Sequence, residues 1–415
     1  MRDRELYARI LGIASPWSVA DVQLLEGEGK VTVLVALDPG ARLSCPECAS
    51  IAGRYDSRRR RWRHLDTCQF QTILEADVPR VECKAHGVLQ VRVPWAEPGS
   101  RFTALFECLA IDWLKETSLA AVGRRLKLSW DEIAGIMDRA VERGLARRKL
   151  EPPHAIGVDE TSFKRGHDYV TVISDILGSK VLRVEEGRET ESLDRYYATL
   201  SPEERAGIEV VAMDMCAPYI NSTRKNVPNA SQKICFDKFH VAQHLGKAVD
   251  LVRRAEHREL LAAGDDTLNG TKYLWLTNPS NLAPDRKREF ESLRNGHLRV
   301  ARAWAVKETA MSLWNYVQRG SAEKAWKRLI GWALRSRLEP IIKAAMTIKN
   351  NLTGILNAVV TGTTNALAES QNSIVQGIKR KARGFRNRER FKNAIYFHLG
   401  GLDLYPRPLL THTKA

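Results

Sequence analysis

Three acidic residues far apart in the chain stand where a carboxylate could hold a divalent cation. Asp159 closes the apolar run AIGVD, Asp214 closes IEVVAMD, and Glu369 lies in TNALAES. Hard cations such as Mg2+ or Mn2+ take oxygen ligands. Two of them held by shared carboxylates activate the attacking oxygen and stabilise the leaving oxygen of an in-line phosphoryl displacement. A chain with 49 acidic residues must place some at strand ends, so each acid alone reads equally well as a solvated terminus. The three together, in the strand order below, point to metal-dependent phosphoryl transfer. Glu160, next to Asp159, alternates to the other face of its strand and is left out of the set.

The elements that must position these acids can be read from residue 151 onward. The prolines of EPPH stop the preceding helix. Strands are expected in AIGVDE, DYVTVISD and KVLRVEEG, then a helix in ESLDRYYATLS, a strand in IEVVAMD, another helix, and a strand in QKICFD. That order is the skeleton of a ribonuclease H-like fold, a mixed sheet flanked by helices, with the strands of Asp159 and Asp214 in its middle. Residues 238–355 are patterned almost wholly as helix and hold Trp275, Trp304, Trp314, Trp326 and Trp332. Aromatics at helical spacing read as core, with a base-stacking surface as the alternative. A helix opens near Asn365, followed by a basic stretch and another helix, and Glu369, Asn372, Gln376 and Arg380 recur at intervals of three or four, on one face. They read as a metal ligand continued into a strip of DNA contacts.

Ahead of this core, residues 1–95 pattern as a small β-rich module. Cys45 and Cys48 form a CxxC pair, and Cys83 and His86 a CxxH pair. Two tight knuckles of this kind suit a closed, tetrahedral structural Zn2+ site; His64 and Cys68 lie between the pairs and could substitute. The same stretch carries RRRRWRH, so Arg58, Arg59, Arg60, Arg61, Trp62 and Arg63 read as DNA contacts. A second basic stretch, KRKARGFRNRER, adds Lys379, Arg380, Arg383, Arg386 and Arg390. Between the module and the core, residues 98–150 pattern as short helices. Ser129 is the expected N-cap and Glu132 its capping-box partner, which suggests a helix-turn-helix or an ordinary helical hairpin.

The formal net charge of +16 favours a polyanionic partner, because lysine and arginine gain affinity by displacing the counterions of phosphates. Seven cysteines in 415 residues do not make a disulfide framework. The opening MRDRELYARILGIASPW lacks the plan of a signal peptide, and no apolar run of membrane-spanning length occurs. The expected location is the bacterial cytoplasm, at the nucleoid.

The segments GVDE, VAMDM, FDKFHVAQHLGKAVDLVRR, GTKYLWL and TNALAESQNSIVQGIKRKARGFRNRERFKNAI resemble the DDE transposases of bacterial insertion sequences, specifically the ISL3 family. The resemblance implies a catalytic triad of Asp159, Asp214 and Glu369, the trio already reached from the strand order. It also implies a helical domain inserted before the glutamate helix and a zinc-binding module at the N-terminus. Asp237 and His240 match a D-x-x-H pair of related transposase groups and are expected to support the active site.

The expected architecture is thus an α+β multidomain chain. A zinc-binding module (1–97) and a helix-turn-helix (98–150) precede a ribonuclease H-like core (151–262 and 356–402), interrupted by an all-α insertion (263–355) and followed by a tail (403–415). The expected function is cleavage of DNA at terminal inverted repeats and strand transfer into target DNA. Two Mg2+ or Mn2+ ions would serve catalysis and one Zn2+ the fold, in a homodimer or larger assembly on paired ends. A transposase-derived regulator without catalysis and a stand-alone nuclease are the alternatives.

Overall fold

The computed structural model describes residues 3–149, 151–164, 168–363 and 366–407, with the side chains of 366–369 excepted. The expected helix start at Asn365 lies outside the described residues. The chain forms two compact units: Met1–Lys149 with Lys381–Arg383 and Tyr396–Ala415, and Leu150–Arg380 with Gly384–Ile395. Among the described residues no helix is long and apolar enough to cross a membrane.

In the first unit, strands β1 (Trp17–Leu25), β2 (Lys30–Leu37), β3 (Gly53–Arg63), β4 (Gln71–Cys83) and β5 (Gly87–Gln90) form one sheet. Its order is β1-β2-β4-β3, with β5 also paired to β4. The alternation of KVTVLVAL buries Val31, Val33 and Val35 on one face. They share a core with Trp17, Trp62 and Trp95, whose rings meet edge to face at 5.1 and 5.4 Å. Three helices follow, Ala104–Glu116, Leu119–Leu126 and Trp130–Arg147. Each starts on a hydroxyl N-cap, Thr103, Ser118 and Ser129, which accepts a backbone N–H of the first turn. Ser129 and Glu132 form the full capping box. Buried Glu107 holds the helices together, accepting from Ser100, Arg139 and Arg143.

In the second unit, β6 (Ala155–Lys164), β7 (Asp168–Asp175), β8 (Lys180–Glu186), β9 (Val210–Met213) and β10 (Ile234–Phe236) form a mixed sheet of order β10-β9-β6-β7-β8. The β6-β7-β8 meander is antiparallel, while β9 and β10 run parallel to β6 and to each other. Parallel pairing requires crossovers, and helices Thr190–Tyr197, Pro202–Gly207, Ala217–Asn226 and Ala230–Lys233 supply them. Central β6 is covered on both sides, so Ala155 to Val158 are all buried. Helices between Lys238 and Thr361 share one apolar cluster with the sheet. Trp275 and Trp326 are fully buried there, and Trp304 and Trp314 pack against the cluster, so the core reading holds for four of the five tryptophans. Trp332 is exposed.

Helix Leu352–Thr361 covers the edge strand β10. Asn357 donates to the carbonyls of Ile234 at 2.8 Å and Ser231 at 3.0 Å. Gly354 permits this approach: a Cβ there would lie 2.5 Å from the Phe236 ring. Gly354→Ala is therefore expected to destabilise the unit by about 2 kcal/mol, the scale of overpacking a filled core. Urea unfolding of wild type and variant, compared at constant m-value, measures it; unchanged stability would contradict the close packing.

Candidate functional site

The pairing of β6 with β9 sets Ile156 opposite Val211 and Gly157 opposite Ala212. Continued along the same ladder, the register brings Asp159 beside Asp214. The β9/β10 register, Phe236 opposite Met213, likewise brings Asp237 beside Asp214 on the next strand. Three neighbouring parallel strands thus deliver carboxylates at one level, each at or just past its last apolar residue. Asp214 Oδ1 accepts the N–H of Cys216 at 3.1 Å, an Asx turn that fixes the strand exit. Asp159 Oδ1 accepts the N–H of Glu160 at 2.8 Å.

Burial raises the Asp159 carboxyl from its ordinary 3.8 to about 6; the Glu160 N–H and the charge of His240 oppose the rise, and the charge of Asp214 adds to it. Asp214 is also raised, chiefly by burial, with His240 opposing. Two desolvated acids side by side attract cations, and an ion between them removes their mutual repulsion. Asp237 is buried at the N-cap of the helix Lys238–Ala262, without a side-chain capping bond. His240 lies one turn along that helix, its ring 5.6 Å from that of Phe239.

The helix Ala366–Lys381 lies along β6 in the same direction. Asn372 Nδ2 donates to Asp159 Oδ2 at 3.3 Å, Gln376 Nε2 to Thr161 Oγ1 at 3.1 Å, and Lys379 Nζ to the Ser162 carbonyl at 2.5 Å. Buried Gln371 accepts from Ser174 Oγ at 2.5 Å and ties the helix to β7. Glu369 is one turn before Asn372 on this helix; its side chain lies outside the described residues.

The second cluster is in the first unit. Cys45, Cys48, Cys83 and His86 bring one ligand atom each to within 4.8 Å of all the others. Cys48 and Cys83 sulfurs are 3.7 Å apart, and His86 Nδ1 is 3.6 Å from Cys83 and 3.7 Å from Cys45. A tetrahedron with Zn–S bonds of about 2.3 Å has edges of about 3.8 Å, so the four donors fit zinc. The first pair sits on a knuckle closed by Cys45 N–H to Ser50 O and by Ala49 in the left-handed region, the second on the β4–β5 turn at Gly87. A hydrogen bond with His86 holds the Cys83 thiol down at about 6, which favours the thiolate a metal needs. His64 and Cys68 are outside the cluster. His64 is buried, bonds Thr103 Oγ1 at 2.8 Å and is pushed down to about 4 by burial, so it anchors the cap of the helix Ala104–Glu116.

The residues of both clusters fall within stretches that family models match. The model of the ISL3 transposase matches residues 156–395, more than half of the chain. The chain belongs to the ISL3 transposase family. The zinc-finger of transposases IS204/IS1001/IS1096/IS1165 matches residues 41–86, and the helix-turn-helix domain of the ISL3 family matches 91–141. The transposase therefore carries zinc-ribbon, helix-turn-helix and transposase domains in that order, an arrangement that indicates DNA as partner. It is 27% identical to the transposase for insertion sequence element IS1557 of Mycobacterium tuberculosis H37Rv, over 93% of each chain. It is 26% identical to that for IS1001 of Bordetella parapertussis, over 94% of this chain and 97% of the relative.

The expected DNA contacts of the transposase lie in different settings. RRRRWR forms the end of β3, whose alternation divides its residues between two faces. Trp62, 2% exposed, belongs to the core and cannot stack on a base. Arg63 is buried and donates to the carbonyl of His64 at 2.7 Å. Arg59 and Arg61 both pair with Glu75, at 2.8 and 2.5 Å, and Arg60 reaches Gln90 at 3.4 Å. Arg58, Arg59 and Arg61 remain exposed and Arg60 half-buried. Asn372 and Lys379 are turned to the sheet, whereas Gln376 bonds Thr161 but stays exposed. Arg380, Arg383 and Arg386 are exposed and Arg390 is half-buried.

Sequence reasoning missed His244. It follows His240 by one helical turn, feels the charge of Asp214, and is held down first by burial and then by Lys247 and His240. The D-x-x-H-x-x-x-H spacing was the available signal. Glu160 was set aside on strand alternation, and its link to Arg188 at 3.5 Å is on the face away from Asn372. It still senses Asp214, which, after burial, helps raise its carboxyl.

The raised Asp159 carboxyl carries a stability prediction. The folded chain holds this proton more tightly than the unfolded one, so stability falls as pH rises from about 4 to about 6 and stays reduced above. The rise from 3.8 to about 6 corresponds to about 3 kcal/mol. Asp159→Asn is expected to be more stable than wild type at pH 8 by up to that amount and equal to it at pH 3.5. Denaturant melts in zinc-containing, magnesium-free buffer at the two pH values measure this, and equal stabilities at pH 8 would contradict the burial argument.

Proposed function

We propose that this ISL3 transposase cuts DNA at the ends of its element and joins the freed 3′-hydroxyl to target DNA, with Asp159, Asp214 and Glu369 as its catalytic residues. The observation that carries the reading is the β6/β9 register that brings Asp159 and Asp214 together, with the glutamate helix anchored to the same strand at Asp159. The sheet order β10-β9-β6-β7-β8 supports a ribonuclease H-like core. Divalent cations, Mg2+ or Mn2+, supply activation of the attacking oxygen and neutralisation of the leaving one. The donor set suits hard cations: all three side chains are carboxylates, and two are desolvated beside one another.

The residues divide the remaining work. Asp159 and Asp214, each fixed by a backbone N–H, hold their oxygens rigid. Asp237, His240 and His244 stand beside Asp214, and positive charge on the imidazoles opposes the rise of its carboxyl. Water and then a DNA hydroxyl are the nucleophiles, so no covalent protein intermediate is needed. Arg58, Arg59, Arg60, Arg61, Gln376, Arg380, Arg383, Arg386 and Arg390 remain the proposed DNA contacts, and a homodimer or larger assembly would pair the two ends.

The proposed domain plan is the zinc module and helix-turn-helix for end recognition (1–97 and 98–150), the core in two parts (151–262 and 356–402), and the helical insertion (263–355). Incubation of the purified transposase with labelled element ends and Mg2+ tests the reading. Cleavage followed by joining is expected. Cutting without joining would favour a nuclease, and binding without cutting a regulator.

A further inference from the structure

Asn372 has two ends in different situations. Its Nδ2 donates to Asp159 Oδ2 at 3.3 Å. Its Oδ1 is buried and, among the described residues, accepts no hydrogen bond. The assignment of the ends follows from chemistry, since a carboxylate only accepts and so draws the NH2 group. A buried amide oxygen without a partner costs about 1–3 kcal/mol. The helix carrying it is not loosely seated: Gln371 is tied to Ser174 and Gln376 to Thr161 on either side. The unpaired oxygen is therefore held in place, within one amide group of Asp159 and on the strand face that Asp214 shares.

Amide and carboxylate oxygens together make up the shells of hard cations. We propose that Asn372 Oδ1 is a ligand of the divalent cation held by Asp159 and Asp214. Asn372 then acts at both ends, orienting Asp159 through Nδ2 and completing the oxygen shell through Oδ1. This inference rests on the metal reading of the acids given above. It moves Asn372 from the DNA strip expected by helical periodicity to the metal centre.

The test is Mn2+ binding to the full-length, zinc-loaded protein without DNA, followed by loss of the free Mn2+ signal in electron paramagnetic resonance. Wild type is expected to bind and Asp159→Asn to lose that binding. Asn372→Leu should weaken Mn2+ binding about tenfold. Asn372→Asp keeps an oxygen but cannot donate to Asp159, and should match or exceed wild type. If Asn372→Leu binds as wild type does, or if Asn372→Asp is as weak as Asn372→Leu, the ligand assignment is overturned while the acids keep theirs. A wild type that takes up no Mn2+, or an Asp159→Asn variant that still binds it, overturns the metal reading and this inference together.

Discussion

Asp214→Asn is expected to lower DNA cleavage about 10^3-fold while element-end binding changes by less than about twofold. A metal-stabilised transition state draws several kcal/mol from its ions, and about 4 kcal/mol corresponds to about 10^3 in rate. The amide keeps the shape of the carboxylate and can still accept the Cys216 N–H that fixes the strand exit. What it loses is the negative charge that His240 faces and that raises the neighbouring Asp159. Binding of ends should survive, because the proposed function assigns it to the zinc ribbon and helix-turn-helix in the N-terminal part of the chain. Parallel gel-shift and cleavage assays on the same DNA separate the two effects. Cleavage that persisted in the variant would place the chemistry elsewhere.

Cys48→Ser should act in the opposite way, on folding and binding first. Structural zinc contributes roughly 10–16 kcal/mol to small domains, so loss of one thiolate from a four-ligand cluster removes a large part of it. Zinc affinity is expected to fall by on the order of 10^2-fold or more. The knuckle 45–48 and the β4–β5 turn are joined through the cluster, so both should loosen, and the first unit should melt at lower temperature. Metal analysis, circular dichroism and end binding report the three consequences. A fully folded variant with neither zinc nor loss of end binding would show that the four residues are not a metal site.

The parts of this transposase that were legible in its sequence are those governed by local rules. Strand periodicity marked β6 to β10, and the Ser129–Glu132 capping box was visible four letters at a time. The CxxC and CxxH pairs announced themselves by spacing, and their convergence to a single tetrahedral cluster followed. The errors came from side-chain direction. RRRRWRH reads as one basic patch, yet a strand alternates its residues and hides Trp62 against Trp95. His64 looked like a spare metal ligand and proves to be a buried cap partner of Thr103.

The amino-acid sequence by itself determined the elements, their order, the two candidate zinc-binding pairs and the positions of the acids, because propensity, periodicity and short motifs act over a few residues. Tertiary structure alone decided which of these residues meet. The parallel register of β6 with β9 sets Asp159 beside Asp214 across 55 positions of chain, and the seating of a helix more than two hundred residues away turns Asn372 toward Asp159. Such pairings depend on register and packing between distant segments, where a shift of one residue exchanges the two faces of a strand. No local pattern encodes that choice; the shared core that buries both faces of β6 does.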